Sequence, residues 1–433
     1  MSSAFRQTVR GMRDLLPDEA EKLRAIEQTA RNIAKLYGYR EVITPIMEHY
    51  ELLAAKIGEE NRKRMYAFED LAGRKVALRP EFTASIARLV ATKMTSASKP
   101  IRFFSAGSLY RYDEPQFGRY REFWQVNYEL IGSNKPEADA EIIALTNDLV
   151  ESLGLKDFSF KINHIGILRS ILNQEGVKEE QQNNIMQLLD KKQWDDALNL
   201  VEDAGGSSKC LSILKNLFEV KGEYVESNIQ EISSIVKDYA GALEAVENLS
   251  EIFSLLETSI MEKRFLLEAG FARGLEYYTG MIFEIYVPEM NIALGGGGRY
   301  DRLMELFGGE SAPAVGVALG TDRLSLAQER QGLSSASSQE EKILVIPISD
   351  STVGEAFKFS TLLRKEGIST ELEVMRRSVS RALSDADKKE ITYVIIIGPE
   401  ETKEGKIVLR NMKKRTQEKI EKYNAIQKLK ASL

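Results

Sequence analysis

The sequence predicts an α+β protein in three parts: a body built on an antiparallel sheet, a helical insertion within it, and a small C-terminal α/β domain. Three observations predict this. IRFFSAGSLYRY (101–112) and REFWQVNYELIG (121–132) are strand-like runs joined by DEPQFGRY (113–120), whose Pro and Gly signal a turn, so they form a long antiparallel hairpin. From about 167 to 262 the chain is helical in pattern and poor in aromatics, as in EEQQNNIMQLLDKKQWDDALNLVEDAG. Beyond the polar, Ser-rich linker QERQGLSSASSQEE (328–341), the runs KILVIPI (342–348), TYVIIIG (392–398) and KIVLRNM (406–412) alternate with helical patterns over Gly354–Arg364 and Ser378–Asp387. The domains are therefore 1–327 with its insertion, and 342–433.

The elements of the body follow in order. Glu19–Tyr37 carries apolar residues at helical spacing and stops near Gly38. Arg40–Ile46 reads as a strand stopped by Pro45. In LRPEFT (78–83), Glu81 and Thr83 point the same way if the chain is extended; Thr83 as a helix cap is the competing reading. On the return strand of the hairpin, Gln125, Asn127 and Glu129 share one face, and Trp124, Val126 and Tyr128 the other. An ordinary solvated face would give the same alternation. RGLEYYTG (273–280) leads into the strand-like MIFEIYV. GGGGRYDRL (295–303) lets backbone approach a ligand or a neighbouring strand closely. It is neither a P-loop nor a dinucleotide fingerprint. PAVGVALGTDRL (313–324) reads as a tightly packed strand with Arg323 opening the next helix.

The totals exclude several chemistries. With only His49 and His164, and Cys210 as the single thiol, a His- or Cys-based metal site and an intrachain disulfide lack their residues. No apolar run is long enough to span a bilayer and no secretory signal is seen, so a cytoplasmic protein is expected. The net charge of −6 hides an asymmetry: from Lys342 onward 19 Lys and Arg stand against 13 Asp and Glu. A basic tail on an acidic body fits a polyanionic partner, or simply a lysine-rich solvated helix.

What remains is arginine. Arg111, Arg119, Arg273 and Arg323 lie beside strand-like segments. Guanidinium forks match phosphate and carboxylate oxygens and keep their charge. An arginine-rich site without a nucleophile fits phosphate-centred chemistry, in which the protein positions groups and stabilises charge.

At these residues the chain resembles the histidyl-tRNA synthetases, a family of class II aminoacyl-tRNA synthetases, over nearly its whole length. GYREVITPIME (38–48) resembles class II motif 1, YRYDEPQFGRYREFWQVNYELIG (110–132) motif 2 and GVALGTDRL (316–324) motif 3. RGLEYYTG and GGGGRYDRL resemble the histidine signatures specific to this family. The resemblance implies a class II catalytic domain, a C-terminal anticodon-binding domain, and a homodimer with Pro45 at its interface. It also implies a ligase that uses ATP with Mg2+, L-histidine and tRNA-His. By the same resemblance, Arg111 and Arg323 bind ATP, and Arg273 sits between the substrate carboxylate and the α-phosphate. Arg119 lies near that carboxylate. Glu81, Thr83 and Gln125 hold the α-amino group, Glu129 and Tyr278 grip the imidazole, and Tyr277 and Tyr300 line its pocket. Two departures stand out: Glu276 where the family commonly has Asp, and Glu114 where many members have a base. A non-catalytic regulatory paralogue is the alternative. It typically loses the anticodon domain and departs from the RGLDYY signature, whereas Arg273 and the basic tail domain are both present here.

Overall fold

The computed structural model describes residues 6–55, 57–116, 118–258, 264–333 and 342–432, and the chain forms two compact units, Met1–Ser335 and Ala336–Leu433. Most of the 328–341 stretch lies outside the described residues; Gln328–Arg330 close the helix Thr321–Arg330 instead of opening a linker.

The main sheet of the larger unit has nine strands, β1 (Arg40–Glu41), β2 (Ile101–Tyr110), β3 (Glu122–Ile131), β4 (Ser159–His164), β5 (Lys221–Gly222), β6 (Phe265–Glu268), β7 (Met281–Tyr286), β8 (Gly295–Arg299) and β9 (Ala314–Gly320), beside a small sheet of Met47–His49, Ala67–Glu69 and Lys75–Leu78. Their order is β1-β2-β3-β9-β8-β7-β4-β6-β5. The run from β2 to β4 is antiparallel throughout, with single parallel pairs β1–β2 and β4–β6 at its ends. The predicted hairpin is β2–β3, in register from Ile101 opposite Ile131 to Tyr110 opposite Glu122. The expected strand over Arg40–Ile46 is shorter than its pattern. Only Arg40 and Glu41 pair, and the Val42 amide adds one more bond to Phe104 O. Beyond that point the Thr44 carbonyl is taken by the Arg79 guanidinium, and Pro45 has no N–H to continue a ladder.

One face of this sheet is dry. Val126, Tyr128 and Leu130 of β3 are buried, and the Tyr128 hydroxyl donates to Ala30 O of the helix Pro17–Leu36. That helix begins with Pro at its first turn, and Glu19 accepts from the Leu16 amide. Alternation along β3 turns Gln125, Asn127 and Glu129 to the opposite face. These residues do not face bulk water: Asn127 and Glu129 are each 1% exposed. An ordinary solvated face is thus ruled out, because a buried Asn–Glu pair is tolerated only where it is hydrogen-bonded.

The helical pattern after residue 167 becomes six helices between Ile165 and Thr258, with β5 inserted and paired to β6. Their buried Leu, Ile and Val residues join the main core. His164 accepts from the Gly166 amide at 3.2 Å, and burial pushes its imidazole down to about 4, so it serves as a neutral helix cap.

The smaller unit has β10 (Ile343–Pro347), β11 (Thr370–Leu372), β12 (Tyr393–Ile397), β13 (Lys406–Asn411) and β14 (Thr416–Glu421), ordered β11-β10-β12-β13-β14. The pairs β10–β11 and β10–β12 are parallel and the others antiparallel. Ile343 and Val345 bury in one cluster and Leu344 and Ile346 in another, so both faces are covered by helices. The short β11, the polar β14 and the helix Lys422–Ser432 carry no clear pattern in the sequence.

Candidate active site

The polar face of the sheet floors a cavity of about 250 Å³. Residues from β3, β7, β8, β9, the 80–83 corner, the 113–120 loop and the segment before β7 line it. The structure brings all the candidate residues into this one cavity: Glu81, Thr83, Arg111, Arg119, Gln125, Glu129, Arg273, Tyr277, Tyr278, Tyr300 and Arg323. His49 is exposed, and neither histidine lines the cavity.

Its inner end holds two buried carboxylates. Glu129 accepts from Thr83 Oγ1 at 2.7 Å, from Asn127 Nδ2 at 2.8 Å and, in a shorter contact, from the Tyr300 hydroxyl. Burial pushes Glu129 up to about 7 against the pull of these three donors. Glu81 is likewise raised by burial, while the Tyr277 hydroxyl, donating to its Oε2 at 2.9 Å, and the charge of Arg111 pull it back. Glu81 Oε1 and Gln125 Oε1 are buried and have no hydrogen-bond partner among the described residues. Thr83 is neither extended nor a cap: it is the first residue of the helix Thr83–Lys93, and its hydroxyl is committed to Glu129. Tyr278 lies in the wall with its ring 5.0 Å from that of Tyr277; it is not among the hydrogen-bond donors to Glu129.

The outer end is arginine. Each guanidinium is anchored on backbone carbonyls, which leaves part of its fork free: Arg111 on Pro80 O at 3.0 Å, Arg273 on Phe283 O at 3.1 Å, Arg323 on Ala293 O at 2.7 Å. Arg119 is exposed on the loop. Burial, then repulsion from Arg119 and Arg111, pulls Arg323 down to about 10. Clustered cations of this kind favour an anion beside them. Burial also works against the charge on Arg273, but Tyr278, Glu284, Tyr277 and Asp190 around it outweigh that and hold it above the ordinary value.

Glycine makes the floor possible. A Cβ at Gly296 would collide with the Arg273 guanidinium, and one at Gly316 with the Glu129 carboxylate. The glycine run pairs in continuous register on both sides, and it and Gly316 of β9 give bare backbone beneath two long side chains.

Sequence reasoning passed over several residues here. Asn127 was visible in the alternation of β3, but its service to Glu129 was not. Glu284, Asp190 and Trp124 also line the cavity. Asp322 accepts from the Trp124 amide at 2.9 Å and pairs closely with Arg13, which stacks on Tyr120 at 3.6 Å. No local signal links an N-terminal arginine to motif 3. Glu114 pairs with Arg10 at 2.7 Å, both exposed. The Glu276 carbonyl accepts from Arg169 at 3.5 Å, and its side chain does not line the cavity. In the smaller unit Arg377 is taken up by Glu373 at 2.6 Å and Asp385 at 3.1 Å.

A family model described as histidyl-tRNA synthetase matches residues 11–324, and one described as anticodon binding domain matches residues 342–432. The chain is 39% identical over 409 residues to a histidine–tRNA ligase of Methanocaldococcus jannaschii, covering 94% of this chain and 95% of that protein. It is 39% identical over 426 residues to one of Sulfolobus acidocaldarius, covering 97% and 98%. A solved structure titled ATP phosphoribosyltransferase regulatory subunit/histidyl-tRNA synthetase, from Bacillus halodurans, is similar with TM-score 0.77 at 25% identity, covering 90% of this chain and 98% of that one. Nostoc histidyl-tRNA synthetase shares the fold, with TM-score 0.80 at 21% identity and 99% of both chains covered.

Proposed function

We infer that this chain, which belongs to the histidyl-tRNA synthetase family and is a histidine–tRNA ligase, divides its cavity into an amino-acid end and a phosphate end. The ligase activates L-histidine with ATP to histidyl-adenylate and passes the histidyl group to the 3′ end of tRNA-His.

The observation that carries the residue roles is the pair of unpartnered buried acceptors, Glu81 Oε1 and Gln125 Oε1, in a cavity that also holds Glu129 and the arginines. An ammonium is the donor that satisfies both. With the α-amino group there, the imidazole reaches the Glu129 and Tyr278 side of the cavity. A carboxylate on one ring nitrogen and a phenol on the other read both, and an analogue lacking either leaves a buried polar group unpaired. Thr83 and Tyr300 orient Glu129, while Tyr277 orients Glu81.

The substrate carboxylate is already an anion, so no base has to remove a proton. Its oxygen bonds to the α-phosphorus of ATP as the bond to pyrophosphate breaks, in line. Arg111 serves the α-phosphate, Arg273 bridges the carboxylate and that phosphate, Arg119 stands near the carboxylate, and Arg323 takes the γ side. In the second step a ribose hydroxyl of the tRNA attacks the acyl carbon and AMP leaves. No group of three His, Cys, Asp or Glu able to hold a metal occurs among the described residues. Mg2+ carried on the nucleotide needs only one or two protein carboxylates. Glu284, which lines the cavity 3.9 Å from Arg273, fits that demand, and the ion would supply charge neutralisation along the phosphates.

A second copy of the chain is the proposed partner for the motif 1 surface. Ile43 is 90% exposed and Leu36 80%, and Ile46 and Met47 stand exposed beside Pro45. No helix among the described residues is long and apolar enough to cross a membrane. The proposed location is the cytoplasm, where charged tRNA is used. Pyrophosphate exchange into ATP, measured over a panel of amino acids, tests the whole reading. Exchange with histidine alone is expected; exchange with another amino acid and none with histidine would overturn it.

A further inference from the structure

We propose that Asp190, the last residue of an insertion helix, is a positioning residue for Arg273 in the adenylation step, so that the helical insertion forms a working wall of the catalytic cavity. This rests on the reading that Arg273 acts at the α-phosphate.

The insertion helix Glu179–Asp190 buries Ile185, Met186 and Leu189 in the main core. Its C-terminal end is fixed to the body a second time, by Lys191 pairing with Glu60 at 2.7 Å. Asp190 is thereby delivered to the cavity wall, and it also lines an adjoining cavity of about 200 Å³ that shares Arg323 and Glu284 with the first. The Asp190 carboxylate lies against the backbone of Gly274, next in chain to Arg273, and the amide there helps hold the carboxyl down. The fit is close: a Cβ at position 274 would lie 2.8 Å from Asp190 Oδ2.

Arg273 is held on its other side by β7, through Phe283 O at 3.1 Å and the Glu284 carboxylate at 3.9 Å. Asp190 shares the cavity wall with Arg273, and its charge and that of Glu284 both support the guanidinium, from two different parts of the fold. Burial and the Glu284 charge raise the Asp190 carboxyl, and Arg273 lowers it. With Asp190 neutral, Glu284 alone would draw the guanidinium toward β7 and away from the point where carboxylate and α-phosphate meet. Small misplacements of such a group cost rate more than affinity.

The bland alternative is that Asp190 only secures the loop through the Gly274 amide. Asp190→Asn separates the two, because an amide oxygen still accepts from Gly274 while the charge is gone. The experiment is histidine-dependent pyrophosphate exchange by the full-length protein as wild type, Asp190→Asn, Arg273→Ala and the double variant. Asp190→Asn is expected to lower kcat about 10-fold while the KM for histidine stays within about twofold, and to add nothing in the Arg273→Ala background. An unchanged kcat, or a double variant that loses the product of the two single losses, overturns the proposal. If Asp190→Asn does not fold, Asp190→Glu is read in the same assay. A reduced kcat with unchanged KM supports positioning; wild-type kcat or a second failure to fold overturns it. A wild type without histidine-dependent exchange sinks the ligase reading itself, whereas an active wild type with an unaffected Asp190→Asn sinks only the role of Asp190.

Discussion

The Tyr277 hydroxyl donates to Glu81 Oε2 at 2.9 Å and fixes the carboxylate in the cavity wall with its other oxygen buried and unpartnered. Tyr277→Phe removes that bond and leaves the carboxylate free to rotate. A hydrogen bond to a charged group is worth about 1.5–3 kcal/mol, so the KM for histidine should rise at least about 10-fold while the KM for ATP holds. Equal changes in both constants would place Tyr277 in general packing instead.

Glu129 should give histidine binding a pH dependence. Burial holds it at about 7 against an ordinary 4.5, so below 7 the free protein carries it mostly protonated and a weaker acceptor for an imidazole N–H. The KM for histidine is expected to fall as pH rises from 6 to about 8. The fold responds in the opposite direction. A carboxyl raised in the native state binds its proton there between 4.5 and about 7, so its contribution to stability is full below 4.5 and is lost as pH rises through 7. Glu129→Gln should flatten that part of the curve of Tm against pH. An unchanged curve would mean that Glu129 is not the group titrating.

Arg299 and Asp139 form a buried ion pair, 6% and 0% exposed, that ties β8 to the helix Pro136–Ser152. Arg299→Ala strands the carboxylate at a cost of about 3–5 kcal/mol. Burial already holds Asp139 up at about 6, and losing Arg299 raises it further. The loss of stability should therefore be larger at pH 8 than at pH 5, where protonation relieves the buried charge. Equal drops in Tm at the two pH values would count against this account.

Gly316→Ala should leave the protein folded and disable it for histidine. The new Cβ would take the place of the Glu129 carboxylate, so that side chain must swing away. Overpacking of this kind costs about 1–3 kcal/mol of stability. Binding of histidine, followed by calorimetry, should be lost. Retained binding would show that Glu129 does not hold the substrate.

Much of this was legible in the residues because it is local. The hairpin showed in two apolar runs around a Pro–Gly loop, and the alternation of β3 set Gln125, Asn127 and Glu129 on one side. The candidate residues also fell in stretches whose resemblance to a known family is specific. What could not be read joins segments far apart in the chain. Arg13 meets Asp322 across the body, and Asp190 arrives from an insertion with no motif. The strand over Arg40–Ile46 was overread for the same reason: the Arg79 side chain, from another segment, claims a carbonyl that the local pattern assigned to a ladder.

The bare backbone under Arg273 and Glu129 has a bearing on redesign. Side chains cannot be trimmed from Gly296 or Gly316, because none exist, and none can be added without displacing a working group. The floor is at its lowest height already. Anyone wishing to admit a bulkier imidazole analogue has only the walls to cut, at Tyr277, Tyr278 or Tyr300. Two of those three phenols hold the carboxylates in place, through Glu81 and Glu129. Of these three, Tyr278 is the one that could be shortened without releasing either carboxylate.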